Sequence, residues 1–255
     1  WVIQSYLTTT QIGEDISLYG SLVTDGDQSD FISVFSRTGT ASSKLSSVLP
    51  SNTLSAATLP VVNVAEYISA YHLFLDARQS LQTRQTAIEA LEKKTGISPV
   101  AYFARLEPKE VATASFIEGG KLERVNLIRV AKPDTLKNCA SGAYPYKYMS
   151  FASAVFGNLY ELPDESSFTY LNGWLISGSQ AGVKAFSDGK AGQYTLKEFM
   201  VNAGMDDLFA AESASFMAYL SLTEDRGSLE SMFSKPVMTA LISEIQDSDY
   251  SGIFI

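Results

Sequence analysis

The sequence predicts an α+β fold with a mainly antiparallel sheet built from hairpins, one long helix and several short helices. Three observations predict it. Two pairs of β-rich runs are joined by short turns, Glu118-Gly119-Gly120-Lys121 and Asn172-Gly173, which favour tight hairpins because Asn and Gly tolerate positive φ. An apolar stripe of helical period runs through Tyr67, Ile68, Tyr71, Phe74 and Leu75. Helix-capping residues then recur between the hairpins, so strands and helices interleave along the chain.

Taken in order, Trp1 to Leu7 and Ile16 to Val23 show partial period-2 alternation and form a first hairpin. Asp30 is placed to cap a short helix from Phe31 to Phe35, and the Ser-rich stretch from Thr38 to Ser47 reads as a loop. A strand over Thr53 to Val62 leads to Asn63, which caps the longest helix, running to about Lys94. Ile88 and Leu91 resume its stripe, but Asp76 to Ala87 is polar nearly all round, which fits a helix projecting past the core or a break near Gln82. Gly96 closes it behind Lys93 and Lys94, cations suited to the negative end of a helix.

Ser98-Pro99 opens a helix through Leu106, with Pro where its missing N–H costs nothing. Glu110 to Ile117 and Leu122 to Val130 make the clearest hairpin. Tyr144, Tyr146 and Tyr148 alternate in a further strand, and Ala154 to Tyr160 in another. Phe168 to Leu171 pairs with Trp174 to Ser177; Ser179 then caps a helix from Gln180 to Phe186, and Thr195 with Glu198 forms a capping box for Leu196 to Ala203. A strand from Ser215 to Leu222, a helix from Ser228 to about Gln246 disturbed by Pro236, and a strand from Tyr250 to Ile255 complete the chain. Strand then long helix occurs twice, the pattern of two degenerate halves, about 1–140 and 141–255, within a single α+β unit. A start at Trp1, together with strands expected at both ends, reads as a mature or trimmed part of a longer chain.

Composition narrows function by exclusion. The 255 residues are 45% hydrophobic and 18% charged, enough for a sizeable core. With 19 Lys+Arg against 28 Asp+Glu, a net charge of -9 and no clustered basic patch, a nucleic-acid partner is not expected. No apolar run approaches the roughly 18 to 20 residues that cross a bilayer, so no transmembrane segment is expected, and the first residues lack the pattern of a signal peptide. One His and one Cys cannot supply the ligand set of a structural zinc site, so neither metal nor cofactor is expected.

Apparent catalytic motifs do not survive placement on their elements. Ser187-Asp188-Gly189-Lys190 is S-x-x-K and Lys94-Thr95-Gly96 is K-T-G, but the order is that of no penicillin-recognising enzyme and the elements are wrong for both. His72 sits inside the apolar face of a helix, Cys139 has no adjacent base, and Asp25-Gly26-Asp27-Gln28-Ser29-Asp30 lacks the Gly and Glu of a calcium loop. The stripe Tyr144, Tyr146, Tyr148 is the expected binding surface, because aromatics combine contact area with a polar tip; the alternative is a strand face buried in the core. A pair of acids distant in sequence could instead meet in a cleft and hydrolyse glycans.

The Trp-led hairpin running into Asp30 to Phe35, the step Leu49-Pro50-Ser51-Asn52-Thr53, and Leu106-Glu107-Pro108-Lys109-Glu110-Val111-Ala112 resemble secreted envelope lipoproteins of unknown function from Bacteroides-type bacteria. So do Gly173 to Ser179, Thr195 to Phe199 and Ser215 to Leu220. The resemblance implies a bacterial cell envelope location, secreted or lipid-anchored, and carries no catalytic residue. The expected function is a non-enzymatic binding or scaffold module whose partner is an envelope protein, glycan or lipid; a carboxylate-dependent glycan hydrolase and a structural repeat unit are the alternatives.

Overall fold

Seven strands form one antiparallel sheet with helices on both faces. The computed structural model describes residues 2–12, 15–24, 27–61, 63–131, 151–157, 160–162, 167–187, 194–202, 213–214, 216–221 and 252–254. The first hairpin, β1 (Val2–Ile12) with β2 (Asp15–Thr24), makes its own two-stranded ladder and is longer than the alternation alone marks out.

The large sheet has the order β6-β7-β5-β4-β3-β8-β9, where β3 is Thr53–Pro60, β4 Pro108–Glu118, β5 Lys121–Val130, β6 Ser167–Leu171, β7 Trp174–Gly178, β8 Met217–Ser221 and β9 Gly252–Phe254. The β4–β5 turn holds Gly119 and Gly120 at φ 57° and 76°, and the β6–β7 turn holds Asn172 and Gly173 at 49° and 88°. Paired positive φ values match the right-handed twist of the strands they join, which is why these dipeptides fix the register.

Because side chains alternate across a strand, the registers sort the core into two layers. One face carries Leu59, Val111, Ile128, Val130 and Leu175, covered by α2 (Val64–Ala77), α4 (Pro99–Leu106) and α5 (Phe151–Phe156). The other carries Ala56, Ala112, Ala114, Phe116, Val125, Leu127, Trp174 and Ile176. Over that second face lie a 3-10 turn (Leu45–Ser47), Phe186 of α6 (Gln180–Ser187), and Leu196 and Met200 of α7 (Leu196–Asn202). The caps on α2, α6 and α7 form as the sequence predicts: Asn63 Oδ1 accepts from Ala65 N at 2.9 Å, Ser179 Oγ from Gly182 N at 3.0 Å, and Thr195 Oγ1 from Glu198 N at 3.2 Å.

Three expectations need correction. The single long helix is two, α2 and α3 (Leu81–Thr95), separated at Arg78-Gln79-Ser80, where Gln79 takes φ 56°. The polar stretch is therefore a helix of the outermost layer, whose half-buried Leu81 and Leu91 pack on the core while Gln82, Thr83, Glu89 and Glu92 to Lys94 face solvent. The strand expected over Ala154 to Tyr160 is helix α5, ended by Gly157 at φ 102°. Phe151, Ala152, Ala154, Val155 and Phe156 are all buried, and a short segment buried all round has no periodicity to separate helix from strand.

The third correction concerns Asp30, which does not cap α1 (Ile32–Thr38) as expected; Phe31 stands at the cap position without a side-chain cap bond. The helix is reached through successive tight turns, Asp30 N to Asp27 O and Ser33 N to Asp30 O, so it is Asp27 whose carboxylate takes the free donors of the turn, from Ser29. The helix expected from Ser228 lies outside the described residues, so of the second strand-then-helix unit only the strand, β8, is described.

Candidate functional site

Two constellations stand out, one on the surface and one sealed inside. The first is an aromatic cluster where α1 meets α2. The ring of Phe31 lies 5.1 Å from Phe35, 5.3 Å from Phe74 and 6.1 Å from Tyr71, each pair steeply inclined, an arrangement that sets the positive edge of one ring against the negative face of another. Phe35 in turn stacks on Phe216 at 5.2 Å, so the cluster ties the helical layer to the start of β8. Phe31 is 38% exposed, so apolar surface stays in water here.

Polar groups frame this cluster. The Arg78 guanidinium sits 5.9 Å from the Phe74 ring centre and its Nη1 donates to the Ser29 carbonyl at 3.4 Å. Asp27 accepts from the Ser29 amide at 2.8 Å and from the Ser29 hydroxyl at 2.7 Å, and these bonds hold its carboxyl below the usual carboxylate range. The surface thus combines rings, a cation lying over one of them and an ionised carboxylate.

The second constellation centres on Glu110, which is fully buried on the second face of the sheet. Its Oε1 accepts from the hydroxyls of Ser43 and Thr58, the latter at 2.9 Å. Its Oε2 accepts from the Lys44 amide at 2.8 Å and from Arg129 Nε at 3.3 Å. Arg129 is the direct cross-strand partner of Glu110 on β5, while Thr58 lies on the same face of β3, one pair along. Ser43 and Lys44 belong to the segment that crosses above. Both oxygens are fully engaged by donors, one of them charged. With two donors on each oxygen the carboxylate has no acceptor position left, so the geometry is that of a structural anchor.

On the opposite face, buried polar groups also serve the fold. Asn126 Nδ2 donates to the Tyr160 carbonyl, the Tyr160 hydroxyl to the Val111 carbonyl at 3.3 Å, and the Tyr67 hydroxyl to the Phe156 carbonyl at 2.8 Å. Burial pushes the Tyr160 phenol well up, with the Glu110 charge a second cause, and burial does the same to Tyr67. Both remain neutral donors.

The residues singled out from sequence fall as follows. Tyr144, Tyr146, Tyr148, Cys139 and Asp25 lie outside the described residues. Lys94 and Thr95 close α3, with Thr95 Oγ1 donating back to the Leu91 carbonyl at 2.7 Å; Ser187 closes α6, and Asp188 to Lys190 lie outside the described residues. His72 is half-buried on α2 and burial lowers its pKa. Among the described residues no group of three or more His, Cys, Asp or Glu side chains could hold a metal ion, and no helix is long and apolar enough to cross a membrane.

Sequence reasoning missed both constellations, although the second left a signal. Counting back from the two-residue turn at Gly119-Gly120 places Glu110 opposite Arg129, an opposite-charge cross-strand pair. Comparison with protein-family models, with curated proteins and with solved structures finds no match to this chain.

Proposed function

We infer that the chain is a non-enzymatic binding or scaffold module of the bacterial cell envelope, presenting its α1–α2 surface to an envelope protein, glycan or lipid. The exposed aromatic cluster around Phe31 carries this reading. Leaving apolar area in water forgoes about 25 cal/mol per Å² of stabilisation, and a cluster held open beside Arg78 and Asp27 has both contact area and polar groups for orientation. The envelope location rests on the resemblance to secreted lipoproteins.

The test is a panel of the three partner classes: a glycan array, neutral and anionic vesicles, and purified envelope proteins of the source organism. One class is expected to bind, and Phe31→Ser to weaken that binding at least about tenfold while circular dichroism shows the fold intact. Binding that survives the substitution, or no binding by any class, overturns the reading.

A second reading, a structural repeat unit of a longer chain, has its own support. β9 lies at one edge of the seven-stranded order, where a neighbouring module could continue the ladder. Its test is association: a tandem protein carrying two copies should unfold at higher temperature than the single chain, and identical midpoints would remove the support.

A further inference from the structure

Helix α3 differs from every helix it touches. Its neighbours α2, α4 and α5 each bury at least four residues, whereas α3 buries none over its 15 residues. It is attached by a half-buried stripe that includes Leu81, Arg84, Ile88 and Leu91, and by one polar clamp. Arg84 Nη1 donates to the Ser153 carbonyl of α5 at 2.9 Å, Nη2 donates to the Tyr71 hydroxyl of α2 at 3.0 Å, and the guanidinium lies 5.8 Å from the Tyr71 ring centre.

Both ends of α3 are short connections with a residue in the left-handed region. Gln79 takes φ 56° before it and Gly96 takes φ 72° after it. Glycine adopts this conformation freely. At Gln79 it is fixed by the end of α2, where Ser80 N donates to the Leu75 carbonyl and Gln79 N to the Asp76 carbonyl, each at 2.8 Å, so the connection that carries α3 is anchored on α2 and not on α3. Local opening is drawn from elements with few buried apolar contacts, and α3 is the described helix of its layer that fits this physics.

We propose that α3 is a detachable cover of the helical layer, opening as a unit about Gln79 and Gly96, with Arg84 as the clamp that holds it shut. Opening uncovers the part of the helical layer on which Leu81 and Leu91 pack, together with the Tyr71 hydroxyl that Arg84 holds. The device shares Tyr71 with the surface around Phe31, whose ring lies 6.1 Å from that of Tyr71.

Hydrogen exchange read by mass spectrometry on the full chain tests it. Peptides from α3 are expected to exchange faster than those from α2, α4, β4 and β5 under native conditions. Arg84→Ala removes both clamp bonds and is expected to speed α3 exchange at least about tenfold, leaving β4 and β5 unchanged. The proposal fails if α3 exchanges only at the rate of the sheet, if Arg84→Ala accelerates helix and sheet alike, or if Arg84→Ala leaves α3 exchange unchanged.

Discussion

Replacing Arg129 by Met is expected to cost more stability than replacing Glu110 by Ala, although both break the same ion pair. Met keeps the apolar stem of Arg129 but leaves the fully buried Glu110 carboxyl without its charged partner and with only neutral donors around it. Removing one partner of a buried pair costs about 3–5 kcal/mol, and full burial of the survivor puts Arg129→Met at that level. Glu110→Ala leaves the opposite survivor. The Arg129 side chain is 28% exposed and can turn its charge to water, so its desolvation penalty is largely escaped. What remains are the Thr58 hydroxyl and the Lys44 amide without their acceptor, worth about 1–3 kcal/mol per unsatisfied group and not additive. Glu110→Ala is therefore expected at about 2–4 kcal/mol.

Urea unfolding at 25 °C measures both changes, followed by circular dichroism and by the fluorescence of the buried Trp174. The double variant completes the cycle and should show a coupling of about 2 kcal/mol, because the two groups share their hydrogen bond. Raising the salt from 0.1 to 1 M should leave the ranking unchanged, since a sealed pair is poorly screened. A cost below about 1 kcal/mol for Arg129→Met, or strict additivity in the double variant, would refute the reasoning.

Further outcomes follow from single residues. Gly157→Ala is expected to destabilise by about 2 kcal/mol or more, because a Cβ at φ 102° would stand 2.8 Å from the Tyr71 hydroxyl; Tyr71→Phe in the same chain should recover part of the loss in thermal midpoint. His72 is the one histidine, and burial lowers its pKa, so the unfolded chain binds more protons and stability should fall as the pH drops below about 6.5, the ordinary value. The wild-type pH profile from 5 to 7.5 should flatten in His72→Gln; an unchanged slope counts against that assignment. Backbone and side-chain bonds from Thr195 hold Glu198 below its ordinary value, so its contribution is present above that value and lost as the pH falls through the lowered one. Glu198→Gln should accordingly lower the thermal midpoint at pH 7 but not near pH 3.

Local features were legible in the sequence wherever one residue type satisfies one geometric demand. Asn63, Ser179 and the Thr195–Glu198 box accept the free amide donors of helix starts, and Gly119-Gly120 and Asn172-Gly173 supply positive φ. The break after Ala77 was visible only as one of two options, since polarity all round a helix does not say whether the chain leaves the core or turns onto its outside. The helix α5 was misread because full burial erases periodicity. The expected surface of Tyr144, Tyr146 and Tyr148 lies outside the described residues, and the exposed cluster comes instead from rings assigned to a core stripe and a short helix.

What the sequence by itself determined is the set of hairpins, their registers and the α+β class, because these depend on turn chemistry and alternation over a few residues. Only the tertiary structure decided that β3 lies between β4 and β8, which joins residues from distant parts of the chain, and that the helices divide between two faces. The same packing turned Glu110 from one acid among 28 into a sealed anchor and left Phe31 in water. Burial is a property of everything that surrounds a side chain, and no local window of sequence contains those neighbours.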